Sequence, residues 1–599
     1  MAQRLRRPGA EEPKEEAPQE KPAPQPFVQP PVEPPVGFAG RSLLRPRATQ
    51  TSPEFVPLED RWRIGFPEWK RYERRIEAPY VEGRWWDPYN QNVLKGDFPV
   101  LGQHIFLSLS AISDTLFELR RIPLPSNVSA EDPDSAEFFG SGDQRFVNQN
   151  FILSLEVFKG DTAFKPRDWE FRITPVFNLN FLDVQETGVV NIDVREGTTR
   201  KEVHSTFQEL FVEYHLGDLS PNYDFVSSRF GIQGFTSDFR GFIFSDNTLG
   251  FRLFGDLQSN QNQFNAAYFR PLEKDTNSGL NRLFDTRGQH LAILNYFRQD
   301  FLWLGYTAQL SFHYLHDSGG VHFDENGFLV RPAAVGFVRR TRPNTVDVAY
   351  LGWTGDGHIG PLNLTHAFYQ ALGRDTFNQI AGQPLDINAQ MAALELSVDL
   401  DWLRPKASFF WASGDSKPLD DRGRGFDSIF DNPNFAGGGF SYWLRQGLPL
   451  TGTGLELVGR NSLLPSLRGS KIEGQPNFVN PGLFLFNVGS DVELTPKLKA
   501  SLNLNFLRFH RTAPLELLLF QPDIRHDIGF DYSLGFRYRP FLNENVTITA
   551  GASALTIGGG LKDVYTFDTL EFGAGGLQVV KNDPFDHLYS AFLAVTFTY

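Results

Sequence analysis

Between Trp169 and Phe181 apolar and polar side chains alternate almost without a break. Trp169, Phe171, Ile173, Phe177, Leu179 and Phe181 fall on one face, and Glu170, Arg172, Thr174, Asn178 and Asn180 on the other. A period of two is the signature of a β-strand with two different surroundings. The pattern begins near residue 104 and recurs to the end of the chain. It predicts strands at about 104–120, 147–159, 167–183, 203–217, 223–234, 247–257, 262–271, 288–299, 301–316, 344–355, 359–372, 388–401, 404–415, 483–494, 497–510, 526–540, 544–557 and 587–599. Every second connection is tight, as in Asp218-Leu-Ser-Pro-Asn, Gln258-Ser-Asn-Gln, Thr495-Pro and Phe541-Leu-Asn. The intervening ones run from roughly a dozen residues to nearly 70 at 416–482. A soluble sandwich has no reason to alternate in this way. Short turns at one end and long loops at the other are the arrangement of an outer-membrane barrel, whose apolar face meets lipid and whose polar face lines the lumen. The predicted fold is therefore all-β: a transmembrane antiparallel β-barrel of about 18 strands over 104–599, with short periplasmic turns and long extracellular loops.

The last strand carries a second signal. In His587-Leu-Tyr-Ser-Ala-Phe-Leu-Ala-Val-Thr-Phe-Thr-Tyr599 the odd positions from 589 to 599 are all apolar or aromatic, and the sequence stops on Tyr599. Tyr589, Phe597 and Tyr599 resemble the C-terminal signal by which outer-membrane proteins engage the barrel-assembly machinery. Aromatics near predicted strand ends (Tyr214, Tyr296, Trp303, Tyr314, Trp353, Trp402, Trp411) fit girdles at the two membrane interfaces.

Composition narrows the class further. Apolar residues make up 41% of 599, and no run approaches the 18 or more that a transmembrane helix requires. Phe is unusually abundant at 57 residues, and aromatics favour pleated, half-buried surfaces. Cysteine is absent, which excludes disulfides, thiolate metal sites and a Cys nucleophile. The net charge of -14 argues against a nucleic-acid binder. The opening Met1-Ala-Gln-Arg-Leu-Arg-Arg-Pro has no apolar stretch after it, so no signal peptide is legible. The sequence is expected to begin after a cleavage site or downstream of the real start. Residues 1–57 are rich in Pro, Glu and Lys and predict a disordered periplasmic tail, with docking to a periplasmic partner as a second role. Residues 58–103, aromatic and charged, predict an ordered lead-in at the periplasmic mouth, too short for a substantial plug domain.

Candidate chemistry is sparse. No nucleophile elbow, phosphate loop, zinc-binding His pair or calcium loop occurs in its required context, so an enzyme is not expected, nor is a metal or cofactor. The acidic set Asp415, Asp420, Asp421, Asp427 and Asp431 reads as solvated loop acids, with Ca²⁺ ligation as the sharper alternative. His313 falls on a polar strand face and reads as lumen lining. Strand parity places Arg172, Glu209, Glu213, Arg229, Arg252, Asp347, Glu395, Asp399, Asp531, Arg537 and Arg539 in the lumen. There, charges of both signs can pair across the tube or select solutes. Arg229 with Arg252, and Arg537 with Arg539, are candidate basic patches; Glu395 with Asp399 is an opposing acidic one.

The stretch from about 404 onward resembles the alginate-export family of outer-membrane porins. The similar motifs are Ala412-Ser-Gly-Asp-Ser-Lys-Pro-Leu-Asp, Gly425-Phe-Asp-Ser-Ile-Phe, Asp527-Ile-Gly-Phe-Asp-Tyr through Arg537-Tyr-Arg-Pro-Phe-Leu, and Ala550-Gly-Ala-Ser-Ala-Leu. The resemblance implies an 18-stranded barrel whose long loops fold inward to constrict a polar pore, and an association with anionic polysaccharide. The mixed-sign lumen and the Pro-rich start depart from that family's pattern.

The expected function is a channel in the cell outer membrane for small or polymeric hydrophilic solutes, anionic or saccharide ones among them, with 416–482 as constriction or lid. A barrel of this strand number otherwise leaves an open aqueous channel. The alternative is a plugged structural or binding barrel, with an energised receptor as a third reading.

Overall fold

In lipid every backbone N–H and C=O must find a partner within the protein, so a chain that crosses with strands has to close on itself. The computed structural model meets this requirement. It describes residues 84–599 except 90–91, 127–128, 132–137, 161–165, 222–223, 336–340, 451–453, 574–575 and 583–584, and no side chains over 567–584. The expected tail 1–57 and most of the expected lead-in lie outside the described residues.

Twenty strands join in one sheet. Two of these, the lead-in strand Lys95–Leu101 and the two-residue Arg422–Gly423, are additions to a ring of 18. In chain order the ring is β1 (Ile105–Arg121), β2 (Asp143–Lys159), β3 (Trp169–Val184), β4 (Thr199–Asp218), β5 (Phe225–Thr236), β6 (Ser245–Leu257), β7 (Asn262–Arg270), β8 (Gln289–Arg298), β9 (Tyr306–Asp317), β10 (Val346–Ile359), β11 (Leu362–Asn378), β12 (Gln383–Val398), β13 (Leu403–Ala412), β14 (Leu483–Thr495), β15 (Leu498–Phe509), β16 (Asp527–Tyr538), β17 (Val546–Ile557) and β18 (His587–Thr598). Each pairs antiparallel with the next, and β18 returns to β1 through Ile112↔Thr598 to Arg120↔Ser590. The predicted alternation of connections holds at one end, where turns run from two residues (360–361, 496–497) to nine (160–168). Gly360 (φ 58°) followed by Pro361 makes one of the two shortest, a primed-type hairpin turn in which only the first central residue needs positive φ.

At the other end the connections 237–244, between β5 and β6, and 379–382, between β11 and β12, fall below the dozen residues that the sequence suggested as the minimum there. Strand pairing continues past the apolar stretch there, through Arg374↔Asp386 and Asp375↔Leu385, because a ladder needs backbone partners and not an apolar face.

The seam is closed by the two ends of the described chain. β18 covers only the upper part of β1. Below it Tyr599 exchanges backbone hydrogen bonds with Ala111 (2.8 and 3.2 Å), and the lead-in strand takes over from Lys95↔Ser108 to Leu101↔Ile105. The Tyr599 hydroxyl accepts from Asn92 Nδ2 at 2.8 Å and donates to the Trp85 carbonyl. Lys95 Nζ lies 4.3 Å from its ring.

Outward side chains are apolar around the ring. Phe151 and Leu153, Phe177 and Leu179, Leu351 and Trp353, Leu502 and Leu504, and Leu593 and Phe597 are all exposed. A continuous apolar band of this extent is unstable in water and is the surface that lipid covers.

The inward face divides into two arcs. Over β1–β4 it is mainly polar, and these strands contribute nothing to the main apolar cluster. Elsewhere that cluster takes inward residues, including Leu315, Val348, Tyr350, Tyr369, Ile387, Met391, Phe410, Leu485 and Leu507, and packs them against Phe426, Ile429, Phe435, Tyr442, Trp443 and Leu457 of the 413–482 connection. The expectation of a polar face lining the whole lumen therefore holds for one arc only. Strands covered on both faces lose their alternation, and Val346-Asp-Val-Ala-Tyr-Leu-Gly-Trp and Met391-Ala-Ala-Leu are such runs.

Tyr599→Ala removes the seam's aromatic and hydroxyl contacts, a loss of about 2 kcal/mol for a ring that is packed, hydrogen-bonded and under a cation. The variant is expected to convert from the compact to the unfolded electrophoretic form several degrees below wild type in a heat-modifiability series. An unchanged transition would mean that the lead-in contacts carry no stability.

Candidate functional site

The inner loop is fixed to the wall by a few polar anchors set in the apolar cluster. Asp531, inward on β16 and fully buried, accepts from the Tyr442 and Trp443 amides (3.2 and 3.1 Å) and from Ser441 Oγ. It thereby caps the short helix Tyr442–Arg445, whose first N–H groups otherwise have no partner. Within the loop Arg468 grips Asp427 with two 2.8 Å bonds, and Tyr350 on β10 donates to the Asp427 carbonyl at 3.1 Å. Phe440 lies against Gly535 and Gly551, which face one another across β16 and β17. A Cβ on either would come within 2.4 to 2.8 Å of the Phe440 ring, so the two glycines form a flat seat that other residues would fill.

A second, shorter inner loop spans the lumen. Residues 237–244 leave β5 and return to β6, yet Arg240 reaches Glu395 on β12 (2.9 Å) and Thr365 on β11 (2.8 Å). Its shape is held by Asp238, whose carboxylate accepts the amides of Arg240, Gly241, Phe242 and Ile243 (2.6–3.3 Å) and the Tyr369 hydroxyl (3.0 Å). The 413–482 connection lies on it through Asn432 N to Gly241 O and Asn434 N to Arg240 O. Beneath the two loops, toward the short-turn end, is a cavity of about 560 Å³. Arg240, Arg404, Lys406, Lys499 and Arg537 line it against Asp356, Glu395 and Asp491, an excess of positive charge. A groove of about 630 Å³ among Val488, Leu502, Leu504 and Leu534 lies on the outward face and meets lipid.

Of the residues that parity placed in the lumen, most point inward but few stand free. Arg172 bridges Glu156 (2.6 Å), Glu170 (3.0 Å) and Glu209 (3.6 Å), joined by Arg167 from the preceding turn. Arg229 pairs with Glu213 and faces Arg252 in register. Arg252 donates to Asn265 at 2.7 Å and lies 4.3 Å from the Phe254 ring. Glu395 meets Arg240 and not Asp399, so the two acids form no patch. Asp399 is exposed in the 399–402 turn with Arg404 and Asn363. Arg537 and Arg539 share Glu544 (2.6 and 3.2 Å), which neutralises that basic patch in part. Asp347 is a correction: it faces outward, bonded to Tyr314 Oη (2.9 Å) and His316 Nδ1 (2.7 Å). Its strand is apolar on both faces, so polarity did not mark the lumen side, and one step of register exchanges the faces. Tyr589 and Phe597 lie outward on β18, Tyr589 with its hydroxyl on Asp143 (2.8 Å).

Four of the five acids of the long loop, all but Asp421, pair with cations of the same loop. Asp415 and Asp420 pair with Arg424, Asp427 with Arg468, and Asp431 with Lys471. His313 is buried and has no hydrogen-bond partner among the described residues. Sequence reasoning missed Arg240 and the buried Glu118 of β1, which accepts from Arg445 Nε (2.6 Å) and Arg460 Nη2 (3.0 Å) of the long loop with Arg120 3.8 Å away. Inward parity marks Glu118, but nothing local shows that a connection of eight residues turns into the lumen.

Above the barrel, carboxylate oxygens of Glu202, Asp275 and Glu325 lie within 4.8 Å of one another. Burial, with the Asp275 and Glu202 carboxylates beside it, pushes the Glu325 carboxyl from the usual 4.5 up to about 8. Arg282, 3.6 Å away, offsets this only in part. A group whose folded value is raised favours the docked arrangement at low pH and opposes it as pH rises toward the raised value. Loops 271–288 and 318–345 are therefore expected to hold together at pH 6 and to loosen by pH 9, with faster amide exchange over 271–288. Glu325→Gln should flatten that pH dependence; a dependence that survives the substitution would exclude this cluster as its source.

An antiparallel barrel of even strand number, turned tightly at one end and with an apolar outer band, is of the outer-membrane class, and the chain is a transmembrane β-barrel of that class. No family model matches it, and comparison with curated proteins finds no match. Among solved structures, OccK9 (OpdG) of Pseudomonas aeruginosa is 10% identical and covers 82% of this chain and 98% of its own, with a TM-score of 0.43. OccAB4 of Acinetobacter baumannii is 11% identical over 83% and 99%, TM-score 0.42. A BenF-like porin of Pseudomonas fluorescens Pf-5 is 9% identical over 82% and 98%, TM-score 0.41.

Proposed function

We infer that this protein is an outer-membrane channel for small hydrophilic solutes with a preference for anions, held narrow by its two inner loops. The observation that carries the reading is the division of the inward face. One arc is apolar and covered by the 413–482 connection, while β1–β4 keep a polar, charged wall that the main apolar cluster does not seal. Asn178 donates to Asn148 and Asn150 at 2.7 Å, and Asn180 to Asn178 at 2.9 Å. Asn178 and Asn180 are buried in this ladder, and it is the half-buried Asn148 and Asn150 that are open to a solute's hydroxyls. Solute would move along this wall, pass Arg240 at the crossing loop, and leave through the cavity with its positive excess. The motif resemblance to alginate-export porins supports an anionic saccharide as the solute. The closing strand with Tyr589, Phe597 and Tyr599 is read as the signal for the assembly machinery, and the N-terminal tail as periplasmic.

The buried apolar cluster inside the barrel favours a second reading, a plugged barrel that binds without conducting. Planar-bilayer recording separates the two. Wild type should give steps smaller than an open barrel of 18 strands, with anion preference. Gly535→Leu, which drives a side chain into the Phe440 ring, should raise mean conductance several-fold. Silence from folded wild type and folded Gly535→Leu alike would refute the channel and leave the plugged barrel.

A further inference from the structure

On the outward face, near the long-loop end, one row of the sheet is titratable from strand to strand. His290 on β8 stands opposite His316 on β9, His316 opposite Asp347 on β10, and Asp347 opposite Arg374 on β11. The row continues to Asp386 on β12, and Arg270 ends β7 on its other flank. Apart from the histidines its charges balance, Arg270 and Arg374 against Asp347 and Asp386. It lies just above the exposed rings of Tyr268 and Tyr314, where an aromatic girdle gives way to headgroups and water.

Both histidines are held by Nδ1, and on opposite flanks. Tyr268 Oη lies 2.5 Å from Nδ1 of His290, and Asp347 Oδ1 lies 2.7 Å from Nδ1 of His316. Asp347 Oδ1 also accepts from Tyr314 Oη at 2.9 Å. An ionised carboxylate only accepts, so His316 carries its proton on Nδ1 and keeps Nε2 as a bare lone pair. Tyr268 Oη can accept from His290 in the same way. An imidazole whose Nδ1 points one way along the row turns Nε2 broadly the other way. With Nδ1 of His290 toward β7 and Nδ1 of His316 toward β10, the two Nε2 atoms face the gap between β8 and β9. Neither Nε2 has a hydrogen-bond partner among the described residues. The ring centres are 5.9 Å apart. Two imidazoles on one zinc ion, at about 2.0–2.1 Å per bond, have centres roughly 5 Å apart at the tetrahedral angle. A small side-chain shift covers the difference. His316 keeps 38% of its side chain exposed, so an ion can reach the pair from outside.

We propose that His290 and His316 form a two-imidazole site for a divalent transition-metal ion of the zinc class, with Asp347 as its positioning residue. Imidazole suits zinc, copper and nickel. A hydrogen bond from the second ring nitrogen to an oxygen is the support that metal-binding histidines usually have. Water fills the remaining positions, and the bound ion ties β8 to β9 on the outer face. No local motif reveals the pair, because its members stand on neighbouring strands. The site is independent of the channel reading.

The test uses the full chain folded in detergent and metal-free buffer, with Cu²⁺ and Zn²⁺ alone as probes. One equivalent of Cu²⁺ should give an electron paramagnetic resonance spectrum with superhyperfine coupling to two imidazole nitrogens. In titration calorimetry His290→Gln and His316→Gln should each weaken Zn²⁺ by about tenfold or more. The double variant should lose little further, because either change breaks the chelate. Asp347→Ala should weaken Zn²⁺ about tenfold, and Asp347→Asn, which keeps an acceptor for Nδ1, should retain most of the affinity. Acidification to about pH 5 should release the ion as the imidazoles protonate. Should the variants fail to fold, the copper spectrum decides alone. Coupling to one nitrogen only, a spectrum of oxygen ligands such as the Glu202, Asp275 and Glu325 carboxylates would give, or Zn²⁺ binding unchanged in the double variant overturns the site.

Discussion

The bilayer offers no water to a backbone amide, and everything else in this molecule follows from that constraint. It forces 18 strands into a ring with no edge, and it explains why both ends of the described chain are drawn to one seam. β18 is too short to pair all of β1. The lead-in strand and Tyr599 supply the missing donors and acceptors, with Asn92 and Lys95 fixed on the tyrosine. A terminal residue that looks in isolation like an ornament of the last strand is thus a structural element of the closure.

Closing the ring creates a second demand. A barrel of this size cannot be filled by side chains from its wall alone, so its interior is either water or loop. Here it is divided. Where inward residues are apolar, the 413–482 connection supplies a core of ordinary protein character, with Trp443, Tyr442 and Phe426 fully buried. Its few polar anchors are each satisfied: Asp531 by backbone amides, and Asp427 by a two-pronged arginine. Where inward residues are polar, carboxylates and guanidiniums pair with one another in Arg167–Arg172–Glu156–Glu170–Glu209 and Arg229–Glu213. Charge is also left over where loop meets wall, in the cavity beneath Arg240 and at the three arginines around Glu118. Functional character therefore concentrates at the boundary between the two arcs.

The sequence by itself determined the ring. Period-two alternation such as that of 169–181, tight turns such as Gly360-Pro361, and the alternating C-terminal strand are local properties. They report the two surroundings of each strand whatever lies far away, which is why strand number and the placement of most inward charges were legible. The same logic misled at Asp347, since parity read from polarity needs one apolar and one polar face, and β10 is apolar on both. Only the tertiary structure decided what occupies the lumen. Nothing local in residues 237–244 shows that Arg240 reaches Glu395, 155 positions away. Nothing near Glu118 announces arginines that arrive from more than 320 positions along the chain. Alternation is set by neighbours in sequence, whereas the site is set by loops folding across a closed ring, and the partners of such loops are fixed only once the ring exists.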